Sequence, residues 1–447
     1  MKRPSRPMVV VALATVALLL SPAISRAEDP PTTGFEASGG ADWTSHEDEV
    51  AFLDEVAAAS PRVALSQIGT TLEGRPLHLV ELGSPGPHGV EAARQRPTAL
   101  FICSQHGNEP AGREACLRWL RDLAFTDDPV LLDQLKHQTI LFVPAANPDG
   151  RDANTRGNSE GVDINRDHLN VETAEAQAIA TVVRDWKPDV VVDLHEFGET
   201  PLVYDDEILY LWTRNLNADL SVRREAKTLA VDYIRPGAEA NGQRAGEYGR
   251  QRVPVADYHI TQTAGDEDEG IARNLFGLRH AAGLLLETRV GSDPRTSIDE
   301  VVDDAANMSR RVDTHYQAVA DTLRYMSDFG STAMLAMADS MERKATEGAE
   351  QRGKVYFDGQ DEDGTLANDG GAEPTSVADP PPCGYLLTQE QASTMAVVFS
   401  LHGIEATPLD DGGAFVSLGQ PAEPVIPLLL DERGRRHAVS ATPLETC

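Results

Sequence analysis

Four short stretches of this chain, residues 99–103, 139–145, 189–194 and 283–286, are apolar almost throughout. A strand apolar on both faces must be covered on both, as in a parallel sheet lying between layers of helix. Runs with helical periodicity lie between and beyond them. Ala115, Cys116, Trp119, Leu120 and Leu123 share one helical face, and Ala178, Ile179, Val182, Val183 and Trp186 share another within residues 174–186. Residues 309–329 keep Val312, Tyr316, Val319, Leu323 and Met326 in register, and Gly330 is expected to end that helix. Residues 45–59 read as a helix behind a Ser45 cap, and 63–68 and 77–82 as strands around the turn Glu73-Gly74-Arg75-Pro76. The expected fold class is α/β, a mostly parallel mixed sheet with helices on both faces.

In open sheets of this kind ligands bind beyond the carboxyl ends of the strands. His106, Asn147, His195 and Glu287 all fall at or just past such an end. His106 and Glu109 occupy a strand-to-helix corner, where Pro110 suits the first helical position and the helix dipole favours the Glu109 carboxylate. Two imidazoles and a carboxylate with a fourth position open make a catalytic zinc site. His106, Glu109 and His195 fit that ligand count. After the second apolar strand, Asn147-Pro148-Asp149-Gly150 reads as a turn, followed by a long polar loop through Arg156 and Arg166.

Lys2, Arg3 and Arg6, the apolar run from Met8 to Leu20 and the small-residue site Ser25-Arg26-Ala27 make residues 1–27 a cleavable signal peptide. No other stretch approaches the ~20 apolar residues needed to span a bilayer. The expectation is a secreted or periplasmic protein without membrane insertion. The net charge of −32 becomes −36 without the four basic residues of the leader, a balance that repels nucleic acid. Export permits disulfides. Cys383 and Cys447 bracket the C-terminal region and are expected to bridge; Cys103 and Cys116 either bridge or stay as buried thiols, and no Cys-x-x-Cys suggests a zinc ligand. Residues 28–42 read as a disordered lead-in, 43–330 as the main domain, 331–382 as a helical or flexible linker and 383–447 as a small accessory domain. Asp361-Glu362-Asp363-Gly364 hints at a calcium loop but lacks the downstream Glu.

The pieces His106-Gly107-Asn108-Glu109, Asn147-Pro148-Asp149-Gly150, Gly161-Val162-Asp163-Ile164-Asn165-Arg166, Asp193-Leu194-His195 and Leu286-Glu287-Thr288-Arg289, in that order, resemble the zinc metallocarboxypeptidases of the carboxypeptidase A type. The likeness covers roughly residues 43–325. It implies a secreted exopeptidase in which His106, Glu109 and His195 hold Zn2+ and Asp163 supports His106. Glu287 would then be general base, Arg156 would stabilise the oxyanion, and Asn165 and Arg166 would clamp the carboxylate of a peptide substrate. For Glu287 the alternative is a strand-end carboxylate paired with Arg289, and for Arg156 a solvated loop residue.

One departure stands out. The family places a mobile Tyr over the substrate, whereas the corresponding stretch here is Thr263-Ala264-Gly265-Asp266-Glu267, with Tyr258 at the wrong spacing. That keeps open a zinc amidohydrolase of the same fold acting on cell-wall peptides or N-acyl amino acids. A catalytically inactive peptide-binding protein is a further alternative. The run Asp266-Glu267-Asp268-Glu269 is either a solvated loop or the lining of a side-chain pocket, and a pocket would favour basic C-terminal residues.

Overall fold

The computed structural model describes residues 1, 30–198, 206–249, 266–292, 302–359 and 374–447. The leader pattern from Lys2 onward, Tyr258, residues 263–265 and the acidic run at 361–364 lie outside the described residues. The main sheet contains β1 (Val63–Thr70), β2 (Pro76–Leu82), β3 (Thr98–Cys103), β4 (Thr139–Val143), β5 (Val190–Phe197), β6 (Ile208–Trp212), β7 (Ala245–Glu247) and β8 (Ala282–Arg289). Their order is β1-β2-β4-β3-β5-β8-β6-β7. β4, β3, β5 and β8 run parallel in the centre, with antiparallel neighbours β2 on one side and β6 on the other. These central strands are the four apolar stretches, and every residue in them is buried.

Alternation along the strands divides the core. Phe101, Phe142, Val192, Leu194 and Leu284 pack with Trp119, Leu120, Val319 and Leu323 on one face. Leu100, Ile102, Leu141 and Val191 pack with Ile179, Val182 and Phe276 on the other. The chain is thus an α/β fold with a mixed sheet covered on both faces.

Several elements differ from their sequence reading. The helix expected to stop at Gly330 runs from Ala305 to Ala349. A Cβ at residue 330 would stand 2.8 Å from Pro97 Cβ, so this glycine serves close packing and does not end the helix. The boundary expected at 330 therefore falls within one continuous element. The expected turn at Asn147 is the start of the short helix Pro148–Ala153, capped by the Asn147 side chain, which accepts from the Gly150 N–H at 2.8 Å. Pro110 occupies the cap of the helix Ala111–Phe125. From Pro31 the expected disordered lead-in is packed: Thr33 caps the helix Gly34–Ala37, and buried Phe35 stacks on Trp43 with ring centroids 5.4 Å apart.

A small antiparallel sheet and the helix Gln389–His402 are the main regular elements of the C-terminal region. Its core includes Tyr385, Val416 and Leu428, and the same cluster takes in Leu169, Ala218, Leu275 and Leu278 from the larger part. Residues Pro31–Cys447 form one compact unit. Both Cys103–Cys116 and Cys383–Cys447 are bridged. Among the described residues no helix is long and apolar enough to cross a membrane.

Candidate metal centre

His106 and Glu109 sit in the corner between β3 and the helix Ala111–Phe125. A Cβ on Gly107 would overlap the backbone of Gly150, so glycine at 107 lets the start of the helix Pro148–Ala153 close against this corner. Asn147 adds a side-chain donation to the Gln105 carbonyl at 3.1 Å. His195 lies near the carboxyl end of β5, level with Glu287 on β8. All four side chains are buried, Glu287 the least so.

The two imidazoles point their Nδ1 atoms at each other, 3.0 Å apart. Glu109 completes the triangle, with Oε1 2.8 Å from His106 Nδ1 and Oε2 2.9 Å from His195 Nδ1. On their far sides His106 Nε2 meets Asp163 Oδ1 at 3.2 Å and His195 Nε2 meets Asp193 Oδ2 at 2.7 Å. Donation outward from Nε2 leaves the Nδ1 lone pairs facing inward. Arg156 Nη1 donates toward His106 Nδ1 at 3.2 Å, which fits a lone pair at that atom. Two inward nitrogens this close cannot both carry hydrogen, and a cation between them and Glu109 resolves the conflict. One ligand atom from each residue lies within 4.8 Å of the others, the only such group among the described residues. The donor set fits a zinc ion with an open position.

The surrounding charges agree. Burial works against a charged Glu109, but His106 and His195 hold its carboxylate well below the usual range. Burial likewise opposes ionisation of Asp163, which His106 and Arg156 nevertheless keep far below the ordinary value. Asp193 and Glu109 lift His195 well above its usual pKa despite its burial, so the centre favours positive charge. Burial pushes Glu287 up to about 7, against the pull of His195. The expected alternative partner of Glu287, Arg289, is engaged elsewhere, with Glu207 at 3.2 Å and the carbonyl of Gly291 at 3.0 Å.

Arg156 grips Asp163 Oδ2 through Nε and Nη2, at 3.0 and 2.9 Å, and its side chain stays 49% exposed. Asn165 is buried with Nδ2 3.1 Å from His195 Nε2, while its Oδ1 accepts from the Ala272 N–H at 2.8 Å. Arg166 is exposed, its Nη1 donating to the Asn165 carbonyl at 2.7 Å. The structure thus gathers His106, Glu109, His195, Asp163, Arg156, Asn165 and Glu287 around one centre, with Arg166 exposed beside Asn165.

Other participants were not assigned roles from the sequence. Asp193 is legible in retrospect, because strand alternation puts residues 193 and 195 on one face. Glu196 ties the centre to the long helix, accepting from the Ala111 N–H at 3.0 Å and from Arg311 Nε at 2.5 Å. No local pattern links residues 196 and 311. The acidic run differs from both its readings. Asp266 pairs with Arg435 at 3.1 Å, buried Asp268 with Arg436, and Glu269 accepts the Arg436 N–H at 3.0 Å. These three carboxylates are thus engaged by Arg435 and Arg436 and are not free to line a side-chain pocket.

The zinc carboxypeptidase family matches residues 49–268, a span that contains the three candidate ligands, Arg156, Asp163, Asn165 and Arg166 and ends before Glu287. Among curated proteins, the chain is 30% identical over 191 residues to carboxypeptidase 2 of Trichophyton equinum, covering 41% of this chain and 35% of that protein. It is 28% identical over 247 residues to carboxypeptidase 2 of Trichophyton rubrum (53% and 45%) and 32% identical over 182 residues to carboxypeptidase SOL1 of Arabidopsis thaliana (38% and 36%). The chain spans less than half the length of these relatives. Among solved structures, a metallo-carboxypeptidase from Burkholderia cenocepacia aligns with a TM-score of 0.48 at 22% identity, over 63% of this chain and 69% of that one.

Proposed function

With residues 49–268 belonging to the zinc carboxypeptidase family, we propose that this chain is a metal-dependent hydrolase that removes residues from the carboxyl end of peptides. The observation that carries the reading is the convergence of His106, His195 and Glu109 on one point, with Glu287 level with His195 on the next strand. Zinc held by the three ligands would polarise the scissile carbonyl and acidify a water molecule. Glu287 takes a proton from the attacking water and hands it to the leaving amine, work suited to a carboxyl with a pKa of about 7. Arg156 keeps a fixed positive charge beside the centre, where negative charge develops on the carbonyl oxygen. Asn165 and Arg166 bind the terminal carboxylate, Arg166 with the planar fork that suits two oxygens. Asp163 and Asp193 hold the imidazoles in orientation from their far sides.

Residues 43–330 form the catalytic part in this reading, and 383–447 an added region. The leader pattern supports export with cleavage after Ala27. A peptide library incubated with the purified protein and read by mass spectrometry tests the proposal. Stepwise loss of C-terminal residues that stops on chelation and returns with zinc is expected. Cleavage from the amino end or within the peptides, or no cleavage, overturns it.

A further inference from the structure

We infer that Arg436, contributed by the C-terminal region, is a positioning residue for Asn165 and Arg166, acting through residues 266–272. The inference rests on the reading of those two residues as the clamp for the substrate's terminal carboxylate.

Arg436 applies Nε and Nη2 to the two oxygens of Asp268, Nη2 at 2.6 Å from Oδ2, and its backbone N–H reaches Glu269. Asp268 is 2% exposed, and its Oδ1 also accepts the Gly270 N–H at 2.9 Å. Gly270 is where the two parts touch. A Cβ there would collide with the Arg166 carbonyl and come within 2.7 Å of Arg436 Nε, so the glycine backbone is held between the arginine and the clamp loop. The Gly270 carbonyl accepts the His168 N–H at 3.2 Å, and two residues on, the Ala272 N–H donates to Asn165 Oδ1. Asn274 locks the segment by donating to the carbonyls of Asp266 and Asp268, both at 2.9 Å.

Every link from Arg436 to Asn165 is thus a hydrogen bond or a close backbone contact. The hydrogen bond from Ala272 occupies Asn165 Oδ1 and leaves its NH2 group directed toward the centre. Removing the arginine leaves a buried carboxylate without its cation, and the segment must shift toward water to hydrate it. The clamp loop loses its support in the same movement.

Equilibrium binding in a Glu287→Gln background, where the peptide is not turned over, separates positioning from simple stabilisation. The probe is one peptide prepared with a free C-terminal carboxylate and with a C-terminal amide. The parent should bind the free acid about tenfold or more tightly than the amide, the scale of one charge-assisted pair. Arg436→Lys, which keeps the charge and loses the fork, should erase part of that ratio. The double variant Asp268→Asn with Arg436→Met, which leaves no buried charge unpaired, should erase most of it with zinc content unchanged. A ratio unchanged in both variants while Arg166→Ala abolishes it overturns the positioning role and leaves the clamp intact. A ratio that survives Arg166→Ala overturns the clamp assignment itself.

Discussion

Buried Glu287, which among the described residues has no arginine or lysine in an ion pair with it, is a carboxyl poised between two protonation states, whereas Glu109, buried beside it but held by two imidazoles, stays ionised. Environment alone separates the ionisation of the two glutamates. Glu287→Gln keeps the side chain's size and removes its base. Turnover should fall by about 10²–10⁴-fold with bound zinc unchanged. Kinetics and metal analysis on one preparation check this, and near-normal turnover would assign the proton transfer to another group. Asp193 gives a second residue-level expectation. Its bond to His195 Nε2 orients the ring, so Asp193→Asn should weaken zinc binding by about 10–100-fold, read by competition with a chelator. Unaltered affinity would reduce Asp193 to a packing role.

Glycines set how closely the elements approach. At Gly330 the long helix passes Pro97 with no room for a methyl group, so Gly330→Ala should destabilise the fold by about 1–3 kcal/mol, overpacking outweighing the better helix propensity of alanine. A gain in denaturation midpoint would contradict this. Asp189, at the foot of β5, gives an expectation in pH. Its Oδ2 accepts the Thr98 N–H at 2.8 Å, and burial raises its pKa from 3.8 to about 7. The raised folded-state value means that its contribution is complete below pH 3.8 and is lost as pH rises to about 7. Asp189→Asn should therefore gain on the parent across that window, by on the order of 2–4 kcal/mol, and no further above it. Equal differences at pH 5 and pH 8 would refute the shift. The central strands were legible in the sequence because burial on both faces leaves an unbroken apolar run. Gly330 was misread because a glycine that ends a helix and one that admits a neighbour look alike until the neighbour is known. The convergence of the candidate metal ligands His106, Glu109 and His195 was legible from strand ends and motif order. The links Glu196 to Arg311 and Asp268 to Arg436 were not, because each joins residues more than a hundred positions apart with no local pattern.

At the scale of the whole molecule, the C-terminal region is bound to the larger part by more than the long helix. Leu169, Ala218, Leu275 and Leu278 share a core cluster with Val355, Tyr385, Val416 and Leu428. Buried His402 donates from Nε2 to the Leu169 carbonyl at 2.7 Å, and His280 bridges Ser340 Oγ and the Pro421 carbonyl, each at 2.7 Å. Parts that share a core lose it together, so calorimetry on the oxidised, zinc-loaded protein should give one transition. Two resolved transitions would mean that residues 383–447 fold as a separate domain. The Cys383–Cys447 bridge sharpens the test. It joins residues 64 apart in sequence, and on the chain-entropy account its removal costs ~4 kcal/mol. If the region were autonomous, Cys447→Ser would lower only its own melting and leave peptide hydrolysis intact at temperatures where the catalytic part stays folded. With the core shared and Arg436 engaged on Asp268, the loss should instead lower the single transition of the whole chain, and activity should disappear along the same melting curve.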